Sequence, residues 1–245
     1  MKKCAPTAGD MSSQVTRPGG LSFDALAPTY DFLNHLLSLG QDFAWRRRVV
    51  QKLARQRPAK VVDLATGTGD LAVALFQQGC GVEAFVALDI SEAMLAMARR
   101  KVQRRGVANR IRLVCDDAMQ TSLPDGSFDA VTMAFGIRNT PDASRTLAEM
   151  YRLLAPTGIV VVLEFSLPDD RFVRAVYLAY LRHVVPLIGG LISGNRQAYR
   201  YLDTSIEAFY QPTQFCRLME KAGFTDVQAV PLTWGVASIY SGSKR

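Results

Sequence analysis

From residue 60 onward the chain alternates between two hydrophobic patterns. Short apolar runs at 60–65, 82–89, 111–115, 128–134 and 159–165 read as buried strands, each followed by a turn signal. Between them lie segments with apolar positions three and four apart: 71–78, 92–104 with Ser91 as N-cap, and 142–154, where Leu147, Met150, Tyr151 and Leu154 share one face. The last of these is expected to stop before Pro156 and Gly158. Such alternation with short connections predicts a parallel sheet covered by helices on both faces.

The flanking segments read differently. Two helices are expected at 23–39 and 42–56, broken near Gly40, after a tail of about 20 residues rich in Ser, Thr, Pro and Gly that reads as disordered. Past the fifth strand, 170–187 is helical and 189–196 is a glycine-rich loop. Helical pieces follow at 202–209 and 213–222, with Gly223 as the stop signal. Apolar runs at 227–230 and 236–240 then predict two strands whose short turn leaves no room for a crossover, so they pair antiparallel. The expected organisation is a tail (1–20) and one α/β domain (21–245), capped by the N-terminal helices (23–56) and an insertion (170–210).

Composition narrows the function classes. Two histidines far apart, His35 and His183, and four scattered cysteines without a C-x-x-C pair fit neither a metal site nor a disulfide framework, so a reducing compartment is expected. The first twenty residues have no apolar run of the signal-peptide kind, and charges at Arg174, Arg182 and His183 interrupt the one long apolar stretch, 172–193. A net charge of +7 biases the chain towards anionic partners without choosing among them. The runs Arg46-Arg47-Arg48, Arg99-Arg100-Lys101 and Arg104-Arg105 read first as solvated helix faces, then as attraction to an anionic membrane. No nucleic-acid recognition motif accompanies them.

The chemistry concentrates where strands end. In Asp63-Leu64-Ala65-Thr66-Gly67-Thr68-Gly69-Asp70 the glycines permit close approach of a ligand to a strand-to-helix turn. Gly67, Gly69 and Ala72 also satisfy the dinucleotide pattern, so the loop alone is a weak signal. Asp89 ends the second strand, where a carboxylate accepts from both hydroxyls of an adenosine ribose. Asp116-Asp117-Ala118 follows the third strand, placed to meet an adenine amine. Carboxylates flanking the glycines, Asp63 and Asp70, suit a sulfonium better than a pyrophosphate. With the antiparallel strand pair, they favour S-adenosylmethionine over a nicotinamide cofactor.

The chain resembles the ubiquinone/menaquinone biosynthesis C-methyltransferase family. The matching pieces are Phe23-Asp24-Ala25-Leu26-Ala27-Pro28-Thr29-Tyr30-Asp31 with Asn34, Trp45-Arg46-Arg47, the 63–70 loop, Leu88-Asp89-Ile90-Ser91 with Met94-Leu95, and Phe128-Asp129. The most distinctive are Phe135-Gly136-Ile137-Arg138-Asn139 and Tyr199-Arg200-Tyr201-Leu202 followed by Ser205-Ile206. The resemblance implies a class I S-adenosylmethionine-dependent methyltransferase with a seven-stranded, mostly parallel sheet, acting on a ring carbon of a polyprenylated quinol. It places the cofactor at Thr68, Asp89, Asp117 and Ala118, and the reading of the glycine loop adds Asp63, Ala65, Gly67 and Gly69. Two positions depart from the family: Ala134, where Ser is frequent, and Asp117, where Asn occurs.

A ring carbon becomes nucleophilic when a neighbouring hydroxyl loses its proton, so the site must stabilise a quinolate. Arg138 is the expected stabiliser, with Asn139 holding the quinol oxygen or a water; the competing reading is an Arg138–Asp142 salt bridge at the next helix. Tyr30, Tyr199 and Arg200 read as contacts to the quinol ring or, equally, as ordinary packing. The expected setting is cytoplasmic, with transient contact at the inner face of the membrane and self-association left open. Another small-molecule methyltransferase, an RNA methyltransferase and a non-catalytic cofactor-binding module are the alternatives.

Overall fold

The computed structural model describes residues 35–36, 38–188 and 204–245. Helix α1 (Asp42–Gln56) leads into β1 (Lys60–Leu64), α2 (Asp70–Gln77), β2 (Ala84–Asp89), α3 (Glu92–Arg104) and β3 (Ile111–Cys115). Then come β4 (Phe128–Ala134), α4 (Ala143–Leu153), β5 (Leu154–Phe165) and α5 (Arg171–Ala179), which runs on through a π-helical turn at Tyr180–Val184. Helix α6 (Pro212–Lys221), β6 (Thr225–Leu232) and β7 (Ala237–Ser243) complete the described elements. The seven strands form one sheet in the order β3-β2-β1-β4-β5-β7-β6. The first five run parallel, and β7 lies antiparallel between β5 and β6.

Strand alternation sorts the core onto two faces. Val61, Phe85, Ala130, Val161 and Leu163 pack on one side with Trp45 and Leu53 of α1, Leu75 of α2 and Tyr177 of α5. Val62, Leu88, Val131, Val160 and Val162 pack on the other with Leu147 and Met150 of α4 and Phe215 and Met219 of α6. Most are fully buried, which for a Leu, Val or Phe side chain contributes roughly 1.5–3 kcal/mol each.

Polar side chains set where the helices begin. Ser91 Oγ accepts from Met94 N at 3.1 Å, as its position predicts. Asp142 caps α4 by accepting from the Ser144 and Arg145 amides, and Asp170 caps α5 through Phe172 and Val173. One boundary differs from expectation: β5 begins at Leu154, not Ile159. Leu154 already pairs with Phe128, and the chain bulges before Ile159 pairs with Ala130. Gly158 is required there, because a Cβ would sit 2.9 Å from the Ala155 carbonyl oxygen.

The C-terminal pair is antiparallel, as the short turn predicts, but each strand extends beyond its apolar run. The turn, Thr233–Gly235, holds three consecutive residues at positive φ. Trp45 Nε1 donates to Thr233 Oγ1 at 2.9 Å and Ser166 Oγ to the Gly235 carbonyl at 2.8 Å, fixing this strained turn at the carboxyl end of β5.

Candidate active site

The loop after β1 is built around a buried carboxylate. Asp63 accepts from Thr132 Oγ1 at 2.6 Å and Thr66 Oγ1 at 2.7 Å. Burial pushes its pKa up to about 6, against the two hydroxyl bonds and the Arg46 charge that favour ionisation. Asp63 thus lies beneath the loop and shapes it. Above it the backbone turns through positive φ at Ala65, Gly67 and Gly69, and Gly69 packs close enough to α3 that a Cβ would touch Ala98 at 3.4 Å. Asp63, Ala65, Thr66, Gly67, Asp70 and Ala134 share the lining of one narrow cavity.

Asp89 closes this loop against β2. One carboxylate oxygen accepts from Gly67 N at 2.7 Å and the other from Ser91 N at 2.9 Å, and its own carbonyl accepts from Asp116 N at 3.1 Å. These two amides fix the orientation of the carboxylate at the end of β2. Asp116 takes Ser122 through both amide and hydroxyl at 2.7 Å, and Asp117 Oδ1 accepts from Met119 N at 2.8 Å. Ala118 is buried beside them. Thr68 is buried and accepts from Lys101 Nζ at 2.6 Å. The eight cofactor residues named from the sequence therefore converge on one sheet edge.

Asp70 contrasts with Asp63. Burial opposes its ionisation too, but the Arg46 and Lys101 charges outweigh it and hold the carboxyl below the usual carboxylate range. Arg46 is not a solvated member of its run: it is buried, paired with Asp42 and Asp70, and lies 5.2 Å from the Phe135 ring centroid. Arg47 and Arg48 are exposed. Position on α1 decides this, since Arg46 follows Trp45 on the buried side.

On the far side of β1, the loop after β4 presses against the glycine loop. A Cβ on Gly136 would lie 2.8 Å from Ala65 Cβ, so only glycine fits. Phe135 holds φ at 59°, and its carbonyl accepts from Arg138 Nη1 at 3.0 Å and Asn139 Nδ2 at 3.2 Å. Arg138 does not pair with Asp142, whose side chain is committed to capping α4. Its ionic partner is Glu164, at 2.6 Å from Nη1, with side chains 2% and 0% exposed. Glu164 also accepts from Phe165 N at 2.9 Å, and the Arg138 guanidinium lies 5.2 Å from the Phe165 ring centroid.

Sequence reasoning missed Glu164, although a lone acid inside the apolar run Val160-Val161-Val162-Leu163-Glu164-Phe165 is a signal, because buried acids are rarely tolerated without a partner. Tyr30, Tyr199 and Arg200 lie outside the described residues, as do the tail, the first expected helix up to residue 34 and the glycine-rich loop. Among the described residues no cluster of His, Cys, Asp or Glu is arranged to hold a metal ion, and no helix is long and apolar enough to cross a membrane.

A sulfonium-bearing nucleoside fits this edge. Asp89 presents a carboxylate at the carboxyl end of β2, the glycine turn leaves the backbone approachable, and the carboxylates nearby suit a cation. Comparisons with known proteins agree. A demethylmenaquinone methyltransferase of Thermus thermophilus is 48% identical over 222 residues, 91% of this chain and 99% of that protein. A ubiquinone/menaquinone biosynthesis C-methyltransferase of Geobacter sulfurreducens is 43% identical over 91% of this chain and 86% of its own. Among solved structures, an S-adenosylmethionine-dependent methyltransferase of Thermotoga maritima superposes with a TM-score of 0.61 at 20% identity, over 90% of this chain and 98% of that one. The fold is that of class I methyltransferases and the cofactor is S-adenosylmethionine. The model of the ubiE/COQ5 methyltransferase family matches residues 14–244, and the chain belongs to that family.

Proposed function

We propose that this enzyme methylates a ring carbon of a polyprenylated quinol, as in the closing steps of menaquinone or ubiquinone synthesis. The functions that the Thermus and Geobacter relatives are named for support this reading. The observation that carries it within the site is the Arg138–Glu164 pair, which holds a guanidinium at the carboxyl end of β4 next to the glycine loop.

Bound S-adenosylmethionine supplies an electrophilic methyl group on sulfur. Asp89 and the turn around Asp117 and Ala118 hold the nucleoside, and the acids beneath the loop favour its positive charge. Arg138 stabilises the quinolate oxygen. Its guanidinium stays protonated and donates charge-assisted hydrogen bonds. Glu164 fixes the direction of that guanidinium and offsets its charge when no quinolate is present. Asn139, braced on the Phe135 carbonyl, orients the same oxygen or a water beside it. Tyr30, Tyr199 and Arg200 are proposed to contact the ring.

The substrate tail is insoluble in water, so the enzyme works at a membrane surface, the inner face of the cytoplasmic membrane. Exposed Arg47, Arg48, Arg99 and Arg100 favour anionic lipid. Trp234 and Phe172, 82% and 77% exposed near the carboxyl end of β5, suit the interfacial zone. Incubation with S-adenosylmethionine and a panel of demethylated naphthoquinols and benzoquinols, reduced and oxidised, followed by mass analysis, tests the reaction. No methylated quinol from any reduced substrate would refute it.

A further inference from the structure

Helix α5 buries one side chain among its nine residues, Tyr177, while Phe172 and Val176 on the same helix stand exposed. Tyr177 is 7% exposed in the cluster that holds Phe135, Phe165 and Trp45. Its hydroxyl oxygen is buried and makes no hydrogen bond among the described residues. Packing does not account for that group. Phenylalanine would fill the same space without desolvating a hydroxyl, and buried polar groups in folded proteins almost always have a partner.

The surroundings say what partner is missing. Tyr177 packs in the same buried cluster as Phe165, whose ring centroid lies 5.2 Å from the Arg138 guanidinium, and Arg138 and Glu164 are both within electrostatic reach of its hydroxyl. Phe165 sits under the Arg138 guanidinium, and its ring centroid is 4.6 Å from that of Phe135. The spot therefore combines aromatic walls, a fixed cation and an unanswered donor, which together match a flat ring bearing an anionic oxygen. Burial raises the phenol well above its ordinary range, so Tyr177 keeps its proton at any working pH and acts only as a donor.

We propose that Tyr177 is a substrate-binding residue whose hydroxyl donates a hydrogen bond to the ring oxygen stabilised by Arg138. The inference rests on the quinol reading above and deepens it: the oxygen is held by two donors from opposite segments, the loop after β4 and helix α5. No proton leaves Tyr177 at any stage. The bond strengthens as negative charge builds on the oxygen, so part of its effect appears in the rate.

The test is Tyr177→Phe, which keeps the ring and removes only the hydroxyl. The expected result is a fall in kcat/KM for the quinol of about 10- to 100-fold, the size of a hydrogen bond to a charged acceptor. The Kd for S-adenosylmethionine should stay within about twofold and Tm should hold or rise, because a hydroxyl without a partner costs stability. The acid limb of the kcat/KM–pH profile should move to higher pH, since the quinolate loses a donor that favours it. Unchanged kcat/KM would overturn the inference and leave the quinol reading standing. A fall in Tm with activity lost in proportion would mark a packing role and also overturn it. A wild-type enzyme inert towards every reduced quinol would remove both.

Discussion

The two halves of the sheet's carboxyl edge are stabilised differently. On the β3–β2–β1 side, carboxylates answer backbone amides: Asp89 takes Gly67 and Ser91, Asp116 takes Ser122, Asp117 takes Met119. On the β4–β5 side, side chains answer each other, with Arg138 on Glu164 inside an aromatic cluster. A frame of amides gives a loop one fixed shape, which suits a cofactor that is the same in every turnover. A buried ion pair instead fixes a guanidinium beside the place where the proposed quinolate charge would build and disperse. The difference teaches that one half is built for shape and the other for charge.

The largest effect is expected where that division is most exposed. Arg138→Ala should lower kcat by about 10²–10³-fold and also destabilise the fold by about 3–5 kcal/mol, because Glu164 is left buried without its counter-ion. Adding Glu164→Gln to the same chain should recover much of the stability and none of the turnover. Turnover returning together with Tm would erase the distinction between the halves.

Asp63 offers the next test, this time of the shape side. Its folded pKa of about 6 lies above the ordinary 3.8, so the native state keeps a proton that the unfolded chain releases between those values. Stability therefore falls as pH rises through that window. Asp63→Asn should match the wild type near pH 4 and exceed it by on the order of 3 kcal/mol near pH 7. Parallel denaturation curves at the two pH values would mean that burial does not govern this carboxyl.

Asp89→Ala should cost about 1.5–3 kcal/mol in S-adenosylmethionine affinity, as expected for lost bonds to a charged acceptor. Its kcat at saturating cofactor should change less than that of Arg138→Ala. Equal calorimetric affinity would remove Asp89 from the cofactor site. The smallest effect belongs to Asp142→Ala, which should cost about 1 kcal/mol through the lost cap on α4 and leave kcat intact. A large loss of turnover there would revive the Arg138–Asp142 pairing that the geometry rejects.

The shape half was legible in the chain because its signals are local. The glycines, Asp89 after its strand and the Ser91 cap each declare themselves within a few residues. The charge half was legible only on one side. Arg138 stood out in its motif, but its partner lies 26 positions on, and a search of neighbouring positions finds Asp142 first. Arg46 misled for a related reason: a run of three arginines looks solvated until the helix phase puts the first beside Trp45. Tyr177 carried no signal at all, since its hydroxyl matters only because it finds no partner among the described residues.

The place of β7 bears on how the molecule assembles. Among the described strands it is synthesised after the other six, yet it lies inside the sheet, with β5 on one side and β6 on the other. Until it inserts, β5 presents an unpaired edge of Ile159-Val160-Val161-Val162-Leu163, a sticky template for another chain. The pairing of Ile159 with Ser243 closes a long loop, whose entropy cost is expected to delay it. Nascent chains arrested before residue 237 should therefore depend on chaperones and aggregate when released, while chains carrying β7 should not.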